Sequence, residues 1–291
     1  MSYRRLIAYA VPSILLALAA CSSSSDSGVV GSDAGSANDA ATLDSGSGGD
    51  AGDSGGGSVD SGKSDGGVDA APTGDFSCSG TPLPTTAPTT ITLTGVAADL
   101  SVSGNTALSG VSITAYPTQT STSALANTAS DGSGNFSLTI GTGGAPVDGY
   151  LMATKTGELD TYLYPNAPLA KDSGNLATTM VTPTTFSGLS SLAGVTPNSA
   201  DGFVAILVID CGGTPVPGVV VTSVPAGTVR YNGGTGLPSS TATATAADGL
   251  AYVFNVTAGA VTLNASAGAT ALRSHGVQAR AGAFTTTIVT P

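Results

Sequence analysis

ALSGVSITAYP, at 107–117, aligns without a gap on PVPGVVVTSVP, at 215–225. Gly110 meets Gly218, Val111 meets Val219, Thr114 meets Thr222 and Pro117 meets Pro225, all at an offset of 108. The same offset carries Val96 onto Val204, Gly104 onto Gly212 and Thr106 onto Thr214. Further on, TASDG (128–132) matches TAADG (245–249) at an offset of 117, which gives the second copy nine extra residues. The glycine-rich RYNGGTGLP (230–238) is where they are expected, because such loops absorb insertions cheaply. One structural unit is therefore used twice.

Each copy opens with an apolar strand, near 92–98 and 203–209, and continues with an alternating strand at 110–116 and 218–224. NFSLTI sets Phe136, Leu138 and Ile140 against Asn135, Ser137 and Thr139, the period of two of a half-buried strand. YVFNVTAGAVTLNASA shows that pattern twice around Ala258-Gly259. The chain of 291 residues has no Trp, 9% charged residues and 41 Gly, a composition of small β-formers and turns. The expected fold class is all-β: two tandem β-sandwiches of seven-stranded type, in series. Module 1 is expected at 76–190 and module 2 at 191–291, with FSGLSSLAGVTPNSAD (186–201) as the junction.

A G-V-x-V run, then T-x-x-D-G, then an aromatic strand resembles the carboxypeptidase regulatory-like module. The residues are Gly110-Val111-Ser112-Ile113 with Thr128, Asp131, Gly132 and Phe136. In the second copy they are Gly218-Val219-Val220-Val221 with Thr245, Asp248, Gly249 and Tyr252 or Phe254. The resemblance covers about 90–185 and 200–291 and implies a transthyretin-like sandwich. It also implies a structural or accessory role without catalytic residues. The second copy departs from the pattern around RYNGGTGLP.

The N-terminus opens with the basic MSYRR, and Leu6 to Ala20 is an apolar run too short to span a bilayer comfortably. Residues 1–20 are therefore expected to be a signal peptide. Leu18-Ala19-Ala20-Cys21 resembles the lipobox of bacterial lipoproteins, which implies acylation of Cys21 and anchoring in a membrane. Ser22 after the cysteine favours the outer membrane by the same resemblance. Residues 22–75 hold ten Asp and one Lys among Gly, Ser and Ala, with no aromatic residue. Such a segment buries too little to offset its ordering entropy, so 21–75 is expected to be a disordered tether reaching roughly 40 Å. Nine of the eleven net negative charges lie there. From residue 76 nine acids face five bases, which leaves no basic stripe for nucleic acid.

Cys78 and Cys211 remain for an oxidising compartment, and a disulfide between them is expected. No cofactor fingerprint or phosphate loop is present, and no catalytic group is expected. His275, in LRSHGVQ, has no zinc-ligand set around it and is expected on the surface. Glu158 and Asp160 share a strand face and are expected to be solvated. Asp131, Ser133 and Asn135 have the spacing of a calcium loop, but no bidentate Glu follows, and the second copy lacks the oxygens. A turn is the better reading, with Asp capping its own backbone and Gly at positive φ. In DTYLYPNAP, Asp160, Tyr162, Tyr164 and Asn166 suggest a strand edge able to hold a sugar or a peptide. The expected protein is an anchored, non-catalytic lipoprotein facing the periplasm or the cell surface, with a glycan or protein as partner. The alternatives are an adhesin using the Tyr edge and an accessory subunit of an enzyme.

Overall fold

The computed structural model describes residues 73–101 and 104–291. The signal peptide, Cys21 and nearly all of the tether lie outside the described residues. Among the described residues the fold is all-β with one short helix. The first copy supplies β1 (Thr90–Ser101), β2 (Gly104–Ala107), β3 (Ser112–Tyr116), β4 (Ala126–Ala129), β5 (Asn135–Gly141), β6 (Tyr150–Thr154), β7 (Thr161–Tyr164) and β8 (Ser173–Met180). Helix α1 (Pro183–Leu192) follows. The second copy supplies β9 (Asp201–Val208), β10 (Val219–Val224), β11 (Thr228–Asn232), β12 (Pro238–Ser239), β13 (Leu250–Thr257), β14 (Gly259–Ala267), β15 (Thr270–Ala271), β16 (His275–Ala279) and β17 (Phe284–Val289). Among the described residues each copy thus holds seven strands on a shared plan, with β2 added in the first and the two-residue β12 and β15 in the second.

Both copies pair by the same plan. β1 runs antiparallel to β5 and parallel to β8, as β9 runs antiparallel to β13 and parallel to β17. In the other layer β6 lies antiparallel to both β3 and β7, as β14 does to both β10 and β16. Alternation builds the strands: β5 buries Phe136, Leu138 and Ile140 and exposes Asn135, Ser137 and Thr139.

The two sandwiches are not in series. The last strand, β17, pairs parallel to β7 of the first copy, Thr285 beside Tyr162 and Thr287 beside Tyr164. This fuses one layer of each copy into a nine-stranded sheet of order β12-β11-β13-β9-β17-β7-β6-β3-β4. Because unlike layers are joined, the two cores lie on opposite faces of that sheet. Ile113, Ala115, Leu151, Ala153 and Leu163 turn to the β1/β5/β8 sheet on one face. Val204, Ile206, Ala251 and Val253 turn to the β10/β14/β16 sheet on the other.

Hydrogen bonds revise the sequence alignment outside the strand that revealed the repeat. The Ser130 hydroxyl accepts from Val111 N (2.9 Å) and donates to Leu108 O (2.6 Å). Thr245 makes the same pair with Val219 N (2.9 Å) and Val216 O (2.7 Å). Ser130 is therefore the counterpart of Thr245, an offset of 115, and the insertion is seven residues rather than nine. Gly134 matches Gly249 at that offset. Both have positive φ, and a Cβ on either would stand 2.5 Å from a carbonyl oxygen, Ala97 O or Val208 O. Those two oxygens set the offset of β1 to β9 at 111, not 108. Asp131 and Asp248 are accordingly not equivalent, and Gly134 rather than Gly132 supplies the left-handed turn. The insertion became a hairpin: β11 pairs with β13, whereas β4 pairs with β3. Tyr231 on that hairpin places its hydroxyl 2.9 Å from Val221 N, capping the β10 edge that lacks a β4.

The expected junction begins with a helix. Thr182 caps α1 by accepting from Thr185 N, and Pro183 starts it, where a missing N–H costs nothing. Phe186 on α1 packs on Phe203, Phe254 and Phe284, with ring centroids 5.1 to 6.4 Å away. An apolar cavity of about 100 Å³ lies beneath, lined in part by Leu163, Leu189 and Tyr252.

Cys78 and Cys211 are bonded, 133 residues apart in sequence. Asp75 N donates to the Asp210 carboxylate (3.1 Å) and Cys211 N to Asp75 O (2.8 Å). The chain therefore docks on the second copy before it enters the first.

Candidate functional site

The fused sheet brings β7 into its interior, hydrogen-bonded on one side to β17 and on the other to β6. The expectation of a free Tyr-bearing edge is thereby corrected. All four residues of TYLY are buried, a run without alternation, as a strand covered on both faces requires. Tyr162 and Tyr164 point away from the first core, onto the same face as Tyr150 of β6 and Tyr116 of β3. Cross-strand register does this, since Tyr116 lies opposite Tyr150 and Met152 lies opposite Tyr162.

The rings form one cluster. Tyr116 stacks on Tyr150 with centroids 4.6 Å apart and planes 13° apart, and Tyr150 lies 5.4 Å from Tyr164. Arg280, just after β16 of the second copy, lays its guanidinium 4.0 Å from the Tyr162 centroid and 4.6 Å from that of Tyr150. Its Nη1 donates to the Tyr164 hydroxyl and to Gln278 O. The guanidinium also bears on the Tyr150 hydroxyl, and no carboxylate pairs with it among the described residues. The Tyr150 hydroxyl donates to Ser121 O (2.8 Å), which fixes the 118–122 loop over the cluster. Burial raises the phenol pKa of Tyr150, Tyr162 and Tyr164 against the opposing pull of Arg280, so all three are neutral at physiological pH.

Between these rings and the loop is an open cleft of about 490 Å³, lined by residues of both copies. Gln119, Thr120, Ser121 and Thr122 of the first copy face Gly259, Gln278 and Arg280 of the second, with Tyr116, Tyr150, Met152 and Tyr162 between them. Of the expected edge residues only Tyr162 lines it. Tyr164 lies behind, bonded to Arg280, while Asp160 is exposed and Asn166 half-buried away from it. Sequence reasoning missed Tyr116, Tyr150 and Arg280. Tyr116 ends the repeated strand itself, and only the β3–β6 register shows what it meets.

The other sequence candidates lie elsewhere. The Asp131 carboxylate accepts from Ser133 N (2.9 Å) and Asn135 N (2.8 Å), and these bonds hold its pKa below the usual value. Asp210 closes a matching loop with Gly212 N and Thr214 N. Glu158 is half-buried rather than solvated: Oε2 is enclosed without a partner among the described residues, and burial with the neighbouring Asp99 raises its pKa. His275 is half-buried rather than on the surface, and burial lowers its pKa against the opposing charge of Asp148. Among the described residues no helix is long and apolar enough to cross a membrane.

No protein-family model and no curated protein matches the chain. Solved structures with similar segments are the TIE protein of Bacillus anthracis, the shaft pilin of Lactobacillus rhamnosus and the minor pilin of Streptococcus agalactiae. Their identities are 15%, 11% and 12%, and their TM-scores 0.23, 0.22 and 0.22. They cover 69%, 71% and 69% of this chain. Of their own lengths 34%, 98% and 95% are matched, so the chain spans about a third of the Bacillus protein. At these TM-scores the likeness settles neither topology nor function.

Proposed function

We propose that this chain is a membrane-anchored, non-catalytic binding protein whose two fused sandwiches hold a ligand cleft at the end of a long tether. The observation that carries the binding role is the Tyr116–Tyr150–Tyr162–Arg280 cleft, open on a rigid sheet and built from both copies. Its volume falls within the usual range of small-ligand sites, and its lining combines rings with a few amides and hydroxyls. The anchor is supported by the lipobox-like Leu18-Ala19-Ala20-Cys21 and by the Asp-rich segment after it. A glycan array and a peptide array probed with the folded chain test the binding role. Ligands retained by the parent and lost by Tyr116→Ala support it; no retention on either array removes it. Mass spectrometry of the mature N-terminus tests the anchor, which an unacylated start elsewhere than Cys21 would refute.

A further inference from the structure

We infer that the cleft recognises an acidic sugar, a uronic-acid unit whose carboxylate sits on Arg280 and whose ring lies against Tyr116. This rests on the cleft being the binding site. Arg280 holds Tyr164 and Gln278 through Nη1 and bears on the Tyr150 hydroxyl, and the edge of Nε and Nη2 on its planar guanidinium has the shape that matches a carboxylate. Its charge has no ion-pair partner among the described residues and the phenols around it are neutral, so it is opposed through space by Asp160, which bears on Tyr162, and not by a paired carboxylate. Desolvation by the rings strengthens that charge toward an anion. An arginine held flat over Tyr162 at 4.0 Å and bonded to Tyr164 is already oriented, which lowers the ordering cost of binding.

The remaining lining favours a sugar over a peptide. Tyr116 stacks nearly parallel on the buried Tyr150, at 13°, which holds its ring flat as a platform suited to the apolar face of a pyranose. Gln119, Gln278 and the hydroxyls of 120–122 supply both donors and acceptors, as a polyol needs. Aliphatic surface for a peptide side chain is small, confined to Met152, Ala279 and the threonine methyls.

The test compares tri-galacturonic acid with its full methyl ester, which keeps the sugar and removes the charge, by calorimetry on the folded chain. The acid is expected to bind at least tenfold more tightly than the ester, and added salt should weaken the acid alone. Arg280→Gln should erase the difference between acid and ester. Arg280→Lys, which keeps the charge without the fork, should restore part of it. Equal binding of acid and ester, still lost in Tyr116→Ala, overturns the acidic-sugar inference and leaves the cleft as a binding site. No binding of either sugar, with an acidic tripeptide bound instead, overturns the sugar class. Acid binding that survives both Arg280→Gln and Tyr116→Ala overturns the cleft itself. Unfolding temperatures of all variants separate these outcomes from loss of the fold.

Discussion

Two half-faces of the nine-stranded sheet lie beyond the sandwich that their own copy forms, and both are lined with aromatic rings, the tyrosines continuing the second core and the phenylalanines forming a cluster of their own. On one, Phe203, Phe254 and Phe284 are covered by Phe186 from α1, over an apolar cavity of about 100 Å³. On the other, Tyr116, Tyr150, Tyr162 and Tyr164 are overhung by Arg280 and the 118–122 loop, leaving an open cleft of about 490 Å³. Phenylalanine has no polar atom to satisfy, so closing a helix over it costs nothing in lost hydrogen bonds. Tyrosine must give its hydroxyl a partner or leave it in water, and this half-face does both. The same fusion of layers thus yields a third core on one side and an open cleft on the other.

The largest effect expected belongs to the closed side. Phe203→Ala removes the ring that touches all three neighbours and should cost about 4 kcal/mol in chemical denaturation, with ligand affinity unchanged in whatever fraction stays folded. Loss below about 1 kcal/mol would show that α1 is an ornament rather than a lid on a core. Next is Tyr164→Phe on the open side, which deletes the hydroxyl that accepts from Arg280. A hydrogen bond to a charged group sets the expected cost at about 2 kcal/mol, and loosening of Arg280 should lower affinity for an anionic ligand. A variant as stable and as tight as the parent would break the link between the buried Tyr and the cleft.

A smaller effect is expected at the helix cap. Thr182→Ala leaves Thr185 N unpartnered and should cost about 1 kcal/mol in thermal unfolding, on the Phe side alone. Binding to the cleft should not change. The smallest concerns pH. The folded-state pKa of His275 lies below the ordinary 6.5, so the unfolded chain binds the extra proton. Stability contributed here is complete above 6.5 and is lost as pH falls from 6.5 through the folded-state value. Asp99 and Glu158, whose values are raised, act in the opposite sense at lower pH. Denaturation midpoints of His275→Gln and parent, compared from pH 7.5 to 5, isolate the term. Parallel curves would mean that His275 titrates alike in both states.

How far the sequence went is clear in individual strands. The period of two in NFSLTI and the repeat at 107–117 and 215–225 carried the all-β class, because alternation and turn residues are local. The fusion was not legible. It depends on β17 meeting β7, a parallel pairing across more than a hundred residues that leaves no periodic mark. The nearest sign was TYLY, four residues buried without alternation. The repeat register failed for a related reason. TASDG and TAADG match in letters, but the Ser130 and Thr245 hydroxyls fill one role, and a two-residue shift is invisible until their bonds are seen. The cleft combines Tyr116 and Tyr150 with Arg280 of the other copy, so no single window of sequence contains it.

The Cys78–Cys211 bond also determines how the molecule carries tension. A pull on the chain ahead of residue 73 reaches Cys78 after a few residues and crosses directly to Cys211. Everything between the two cysteines, including the whole first copy and β9, is a loop that the covalent load path bypasses. A ligand held in the cleft, which both copies line, would load the first sandwich through the β17–β7 seam and the cleft walls rather than along its own covalent chain. Reduction would reverse this, putting β1 first in line to peel.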